Sequence, residues 1–363
     1  MRVLFVVNDA STGGAQTLIE SLAVEYEKLG MTSKLIVLMS PGPLSDRLER
    51  AAGGNVTYFG ASKGMTNPFR LARLLSAEVR MFQPDVIHSH LLQSDLVALL
   101  SHSRGAAMIS TIHTTGMTKS DPILSRLLGR VLPHLVRLRF DRSVACGEAA
   151  ARYMREMGYK HPINVIDNGV RVPISFPDFI RSTSIVCLSR WHPMKDHATL
   201  FDAFSKLLGS HPELELTCAG SGVCDDNADI RILLDHFGIT HRVRLIGPHQ
   251  YPTQLLKLAK LSVISSSYGE ALPMAGLESL AVGTPVITTD VGDCRALALT
   301  ENDVVPAGNP DQLANAMKRI VELRDVEYRV LREAAHNRAA ERFSIRRVAV
   351  MYTELFSLIR GEK

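Results

Sequence analysis

Cysteine is scarce in this 363-residue chain: five residues, Cys146, Cys187, Cys218, Cys224 and Cys294, with no C-x-x-C spacing. Neither a zinc framework nor a disulfide scaffold is signalled, and a reducing compartment fits best. Three of the five sit inside apolar strand-like runs, where a thiol packs as a small core residue. Long apolar runs are missing too, since no segment approaches the ~18–20 residues that a membrane-spanning helix needs. The opening MRVLFVVNDA meets Asn8 and Asp9 after a short apolar run, so it reads as a first core strand rather than a secretory leader. Excess charge is also lacking: the formal net charge of +4 suits a protein that handles phosphates or touches anionic lipid, and is too weak to indicate nucleic acid.

Several motifs are absent as well. There is no D-x-D, so no carboxylate-held divalent metal is suggested and no metal ligands are assigned. There is no G-x-x-x-x-G-K-[ST] phosphate loop and no G-x-S-x-G nucleophile elbow. The glycines near the N-terminus do not form G-x-G-x-x-G, which weakens a dinucleotide oxidoreductase reading.

What is present is alternation. Length predicts two domains of about 150–200 residues. Short apolar runs at 2–8, 34–39, 55–59, 85–90, 108–113, 143–146 and 164–166 alternate with helical patterns such as 15–29, 68–82 and 148–157. A second series has strands at 185–189, 215–219, 243–246, 261–265 and 285–289. This predicts an α/β protein of two Rossmann-like domains, with parallel sheets facing across a cleft and ligands at the carboxyl ends of the strands. The periodicity fails in NGVRVPISFPDFIRSTS, so the domains are read as 1–168 and 185–343 with a linker at 169–184.

The strongest motif is YGEALPMAGLESLAVGTPVITTD at 268–290, directly after a strand. Pro273 is placed in the first turn of a helix that carries Glu278, with Glu270 in the loop above it. Such a helix start offers N–H groups to a phosphate, and the two carboxylates can accept hydrogen bonds from sugar hydroxyls. Arg190 and Lys195, five apart at another strand end, offer positive charge. Gly13 and Gly14 follow the first strand and let backbone approach a ligand. His113 ends the strand AAMISTIH and is expected to point into the cleft. His88 and His90 end DVIHSH; alternation is taken to put them on opposite strand faces, as loop or core histidines rather than metal ligands.

Together these strings resemble the large retaining glycosyltransferase family of GT-B fold known as family 4, or group 1. Glu270 and Glu278 match its E-x7-E signature, and the resemblance runs over nearly the whole chain. It implies that Glu270 contacts the donor sugar, Glu278 the nucleotide ribose, and the helix start through Ala271, Leu272, Pro273 and Met274 the diphosphate. It implies further that Arg190 and Lys195 bind the pyrophosphate, that the Gly13–Gly14 loop closes over it, and that His113 lies near the sugar's outer hydroxyls and the acceptor. In such enzymes the donor phosphate accepts the acceptor's proton, so Glu270, His113, Arg190 and Lys195 form the catalytic set with no protein nucleophile and no cofactor. UDP is the expected nucleotide, and a saccharide or lipid-linked saccharide of polysaccharide or glycoconjugate synthesis the expected acceptor. Ala271 and Met274 depart from the family's usual glycine and asparagine and leave the sugar open. A nucleotide-sugar 2-epimerase of the same architecture is the alternative, and a non-enzymatic sugar-nucleotide sensor a third reading.

Two helices complete the expectations. The segment 121–141 has apolar residues at 123, 124, 127, 128, 131, 132, 135 and 136 edged by arginines, and Pro133 interrupts it. It is either the buried face of a domain helix or a contact with anionic membrane in a cytoplasmic protein bound at the membrane's inner face. Sequence order would dock the last helix on the second domain. The resemblance implies instead that 344–361 crosses back to the first, forming with the linker a hinge.

Overall fold

The computed structural model describes residues 1–62, 67–116, 123–174 and 182–362. Their chain divides into two compact units: Met1–Gly169 with Ile345–Lys363, and Val170–Ser344. Part of the expected linker, 175–181, lies outside the described residues.

The first unit holds seven strands: β1 Arg2–Val7, β2 Thr32–Met39, β3 Val56–Ala61, β4 Val86–His90, β5 Ala107–Ile112, β6 Arg142–Ala145 and β7 Ile163–Val165. They form one parallel sheet in the order β3-β2-β1-β4-β5-β6-β7. The inner strands are almost continuously buried, five of six residues in β1 and all of β4 and β5, as in sheets whose two faces are covered by helices.

The second unit holds β8 Ser184–Leu188, β9 Glu215–Ala219, β10 Val243–Leu245, β11 Leu261–Ile264, β12 Val286–Thr289 and β13 Val304–Val305. These also form one parallel sheet, ordered β10-β9-β8-β11-β12-β13. The sequence reading has no counterpart of β13, whose two residues are too few to show a period. Both units are Rossmann-like, and each sheet reverses its strand order once, between β1 and β4 and between β8 and β11. Those switch points leave a crevice at the carboxyl ends of the adjoining strands, where open α/β sheets bind ligands.

The last helix, Ile345–Gly361, packs within the first unit. Its buried Val348, Tyr352, Leu355 and Phe356 join one core cluster with Leu18, Leu22 and Tyr26 of the helix Gly14–Lys28. Tyr26 and Phe356 meet edge to face at 6.0 Å between ring centroids. Two ion pairs tie down its end, Arg360 to Asp85 at 2.8 Å and Arg142 to Glu362 at 2.7 Å. At the upstream end of this return, the amide of Val170 donates to the carbonyl of Phe343 at 2.8 Å.

Candidate active site

In the second unit the site grows from the β8/β11 switch point. Beyond β8 the chain passes Arg190 and makes a short 3-10 turn at Pro193–Lys195. Asp196, at φ 46°, then caps the helix His197–Leu208, accepting from the amide of Thr199 at 3.2 Å and its hydroxyl at 2.8 Å. Beyond β11 come three serines that fasten this turn. Ser265 Oγ donates to the carbonyl of Lys195 at 2.8 Å, and the amide of Ser267 donates to that of Met194 at 2.8 Å. Ser266 Oγ donates to Glu270 Oε1 at 2.6 Å, and Lys195 Nζ forms an ion pair with the same oxygen. Glu270 is only 5% exposed, so this carboxylate and this ammonium stabilise one another where water screens little. Arg190 stays exposed. Its loop rests on 220–222: the Trp191 amide donates to the Ser221 carbonyl at 2.8 Å, and a Cβ on Gly220 would fall 2.0 Å from the Ser189 carbonyl oxygen.

Glu270 is also set from behind. Gly292 has φ +59°, and a Cβ there would fall 1.7 Å from the Glu270 carbonyl oxygen. The helix that follows runs Met274–Ala281, with Pro273 at its N-cap (φ −70°, ψ 129°) rather than in its first turn. The amides of Gly276 and Leu277 donate to the Pro273 carbonyl at 3.1 and 3.4 Å, so the N–H groups of Met274 and Ala275 ahead of them are the ones that suit an anion. Ala271, Leu272 and Met274 are buried, which presses this loop onto the core and leaves its backbone as the polar element. Glu278 lies on the helix itself and is half-buried.

In the first unit, Gly13 is the extended N-cap (φ −164°) of the helix Gly14–Lys28, and no side chain caps it. A Cβ at Gly13 would meet Gln16 Oε1 at 2.6 Å. Gln16 Nε2 instead donates to Asp9 Oδ1 at 3.0 Å, and that oxygen also accepts from the Ser11 amide at 2.9 Å. No side chain caps the first-turn amides of this helix, and the turn itself carries no acidic residue. Across the switch point, Asn8 Nδ2 donates to Gln93 Oε1 at 2.7 Å and Ser94 Oγ donates to Asn8 Oδ1 at 2.7 Å.

The β4 exit is strained: Leu91 has φ 75° and ψ 151°, a region that side chains other than glycine rarely visit and that clusters at functional sites. Just before it, His88 and His90 share one face, not two. Side chains two apart on a strand point the same way, and the rings lie 4.2 Å apart between centroids. His113 directly follows β5, with its Nε2 3.0 Å from His90 Nδ1. Burial holds all three imidazoles neutral, pushing His88 down to about 3 and His113 to about 4, and His90 well below its usual range. Asp95, held by Ser89 at 2.5 Å and Ser110 at 2.7 Å, is raised by burial to about 7. Among the described residues no group of three or more His, Cys, Asp or Glu side chains is placed to hold a metal ion.

Sequence reasoning did not single out Ser266, Gly292 or the His90–His113 bond. The serine run after β11 and the H-x-H string were visible, but neither reveals its partner. The arginine-edged segment is a helix, Ile123–Val136, that continues through Pro133; residues 121 and 122 lie outside the described residues. Its apolar positions divide: Leu128, Leu132 and Val136 are buried, whereas Ile123, Leu127, Val131 and Leu135 are exposed. Among the described residues no helix is long and apolar enough to cross a membrane.

Two Rossmann-like units, with uncapped helix starts at their switch points and a cation–carboxylate pair at the second, are the architecture of GT-B enzymes. Residues 12–172 match the family described as Glycosyltransferase Family 4, and residues 182–323 match Glycosyl transferases group 1. The chain belongs to this glycosyltransferase family and is an enzyme of that class, which removes the epimerase and sensor readings. It is 27% identical over 331 residues to the D-inositol 3-phosphate glycosyltransferase of Thermobispora bispora, covering 79% of this chain and 76% of the relative. It is 30% identical over 197 residues to the exopolysaccharide phosphotransferase SCO2592 of Streptomyces coelicolor, covering 51% of this chain and only 20% of that protein. Among solved structures, HepE of Anabaena in complex with UDP-glucose superposes with a TM-score of 0.81 at 18% identity, over 98% of this chain and 99% of that one.

Proposed function

We propose that the enzyme transfers a sugar, with retention of anomeric configuration, from a UDP-sugar to a saccharide or lipid-linked saccharide acceptor without a metal ion. The observation that carries this reading is the buried Lys195–Glu270 pair at the β8/β11 switch point, beside the amide-bearing start of the helix Met274–Ala281. Glu270 accepts from donor-sugar hydroxyls and Glu278 from the ribose. Lys195, Arg190 and the helix amides take the diphosphate charge that grows as its bond to the anomeric carbon breaks. The diphosphate then accepts the acceptor's proton on the same face. Gly13 and Gly14 offer amides to a phosphate oxygen, and His113 contacts a ligand oxygen. HepE in its complex with UDP-glucose supports the choice of nucleotide, and the exopolysaccharide and inositol phosphate relatives support a hydroxyl-rich acceptor.

A thermal-shift panel of nucleotide sugars tests this. At a hundredfold excess over Kd the cognate donor should stabilise by about 2.7 kcal/mol, or about 5–10 °C for a domain of this size. Turnover on acceptor saccharides should persist in excess chelator. Loss of activity on chelation, restored by magnesium or manganese, would sink the metal-free account.

The exposed ridge Ile123, Leu127, Val131 and Leu135, with exposed Arg130 and Arg137 beside it, supports peripheral contact with anionic membrane on the cytoplasmic side. The enzyme should co-sediment with phosphatidylglycerol vesicles and not with phosphatidylcholine vesicles. Leu127→Glu with Val131→Glu should weaken that binding by more than about tenfold at unchanged thermal midpoint, since each apolar side chain contributes up to ~1.5–3 kcal/mol when buried. Equal binding by the double variant would rule the ridge out.

A further inference from the structure

No step of the proposed reaction uses His90, yet it is fully buried and, among the described residues, its side chain is hydrogen-bonded to His113 alone. The two rings are stacked within 20° at 5.3 Å between centroids, and a single hydrogen bond joins His90 Nδ1 to His113 Nε2. Both imidazoles are neutral, so each carries one ring proton, and the bond between them uses one. Two arrangements satisfy this. If His113 donates from Nε2, His90 must bear its proton on Nε2. If His90 donates from Nδ1, its Nε2 is a bare lone pair and His113 carries its proton on Nδ1.

The surroundings of His90 Nε2 decide between them. Among the described residues that atom is buried without a hydrogen-bond partner, on a ring packed beside those of Phe5 and His88. A buried N–H left without an acceptor is the rarer defect and costs about 1–3 kcal/mol. The second arrangement avoids it.

We propose that His90 is a positioning residue that locks His113 in its Nδ1–H tautomer, so that His113 offers a hydrogen-bond donor, not a base, to a hydroxyl or phosphate oxygen of the ligand. This rests on the reading of His113 as a ligand contact. His113 is only part-buried, and Nδ1 is the ring nitrogen that its bond to His90 leaves for other partners. The second histidine of the strand has its own anchor. His88 Nε2 lies 2.7 Å from Thr111 Oγ1, which is 3.3 Å from the Tyr352 hydroxyl, while His88 Nδ1 is buried without a hydrogen-bond partner among the described residues. The same argument puts the His88 proton on Nε2.

Long-range 1H–15N correlation of the free protein reads the tautomer without any assay of activity. The His113 signals are those that vanish in His113→Asn. They should show a protonated Nδ1 and a bare Nε2 at neutral pH. The reverse pattern overturns the proposal whether or not the enzyme is a transferase. Kinetics then test the coupling, with wild-type turnover confirming the transferase reading independently. His90→Phe should abolish the single-tautomer pattern and lower kcat by about tenfold, the usual size for one neutral hydrogen bond. His90→Asn can still donate from the same place and should restore both within about threefold of wild type. The double variant His90→Phe/His113→Asn should be no slower than His113→Asn alone. Fully additive losses in the double variant, or failure of His90→Asn to rescue in a protein of unchanged thermal midpoint, would mean that His90 serves packing only.

Discussion

Replacing Glu270 with alanine is expected to cut turnover by about 10²–10³, the loss typical of one preorganised polar group aimed at the reacting centre. Truncation also strands Lys195, whose ammonium is paired with Glu270 Oε1 and only 17% exposed. Glu270→Gln therefore serves as the isosteric companion. It keeps an oxygen for the Ser266 hydroxyl, removes the charge opposite Lys195, and should lose nearly as much turnover with a smaller fall in thermal midpoint. Glu278→Ala should act differently, raising the KM for donor while kcat stays within about threefold, because a ribose contact is made equally in the ground and transition states. Steady-state kinetics at saturating and limiting donor separate the two. Near-wild-type turnover by folded Glu270→Ala would remove Glu270 from the catalytic set.

Gly292→Ala should be nearly as damaging, although the new methyl group is nowhere on a substrate. The residue sits at φ +59°, and the added Cβ would come within 1.7 Å of the Glu270 carbonyl oxygen, a backbone atom that cannot swing aside. Either Gly292 leaves its conformation or the Glu270 loop shifts, and a displacement of about 1 Å at a reacting centre costs about 10² in rate. Gly30→Ala is the control: its φ is +73°, but nothing lies within 4 Å of the added methyl. It carries only the left-handed backbone cost of about 1–2 kcal/mol and should lower the thermal midpoint without touching kcat. Calorimetry and turnover on both variants provide the check. Full activity in Gly292→Ala would show that this contact does not set the carboxylate's position.

Much of this protein was legible in one dimension because its information is local. Both faces of a parallel sheet are covered, so buried strands read as continuous apolar runs, and strand–helix alternation is enough for two Rossmann-like units. The string around Glu270 and Glu278 was equally legible, since a strand, a loop and a helix start carry it contiguously. The expected opposite facing of His88 and His90 fails for a local reason too: residues two apart on a strand share one face. The apolar stripe of Ile123–Val136 was seen whole, but a helix pattern gives the amphipathic face without saying how much of it a neighbour covers.

The sequence by itself therefore determined the fold class, the family and the segments from which the site is made. The tertiary structure alone decided which atoms meet. Lys195 and Glu270 are 75 residues apart and His90 and His113 are 23 apart, and only strand order makes neighbours of them. The last helix's own apolar pattern does not say that it joins the core built on Leu18 and Tyr26; only the family resemblance placed it on the first domain. Long-range pairing depends on which surfaces complement one another after the chain has folded, and neither periodicity nor spacing records that.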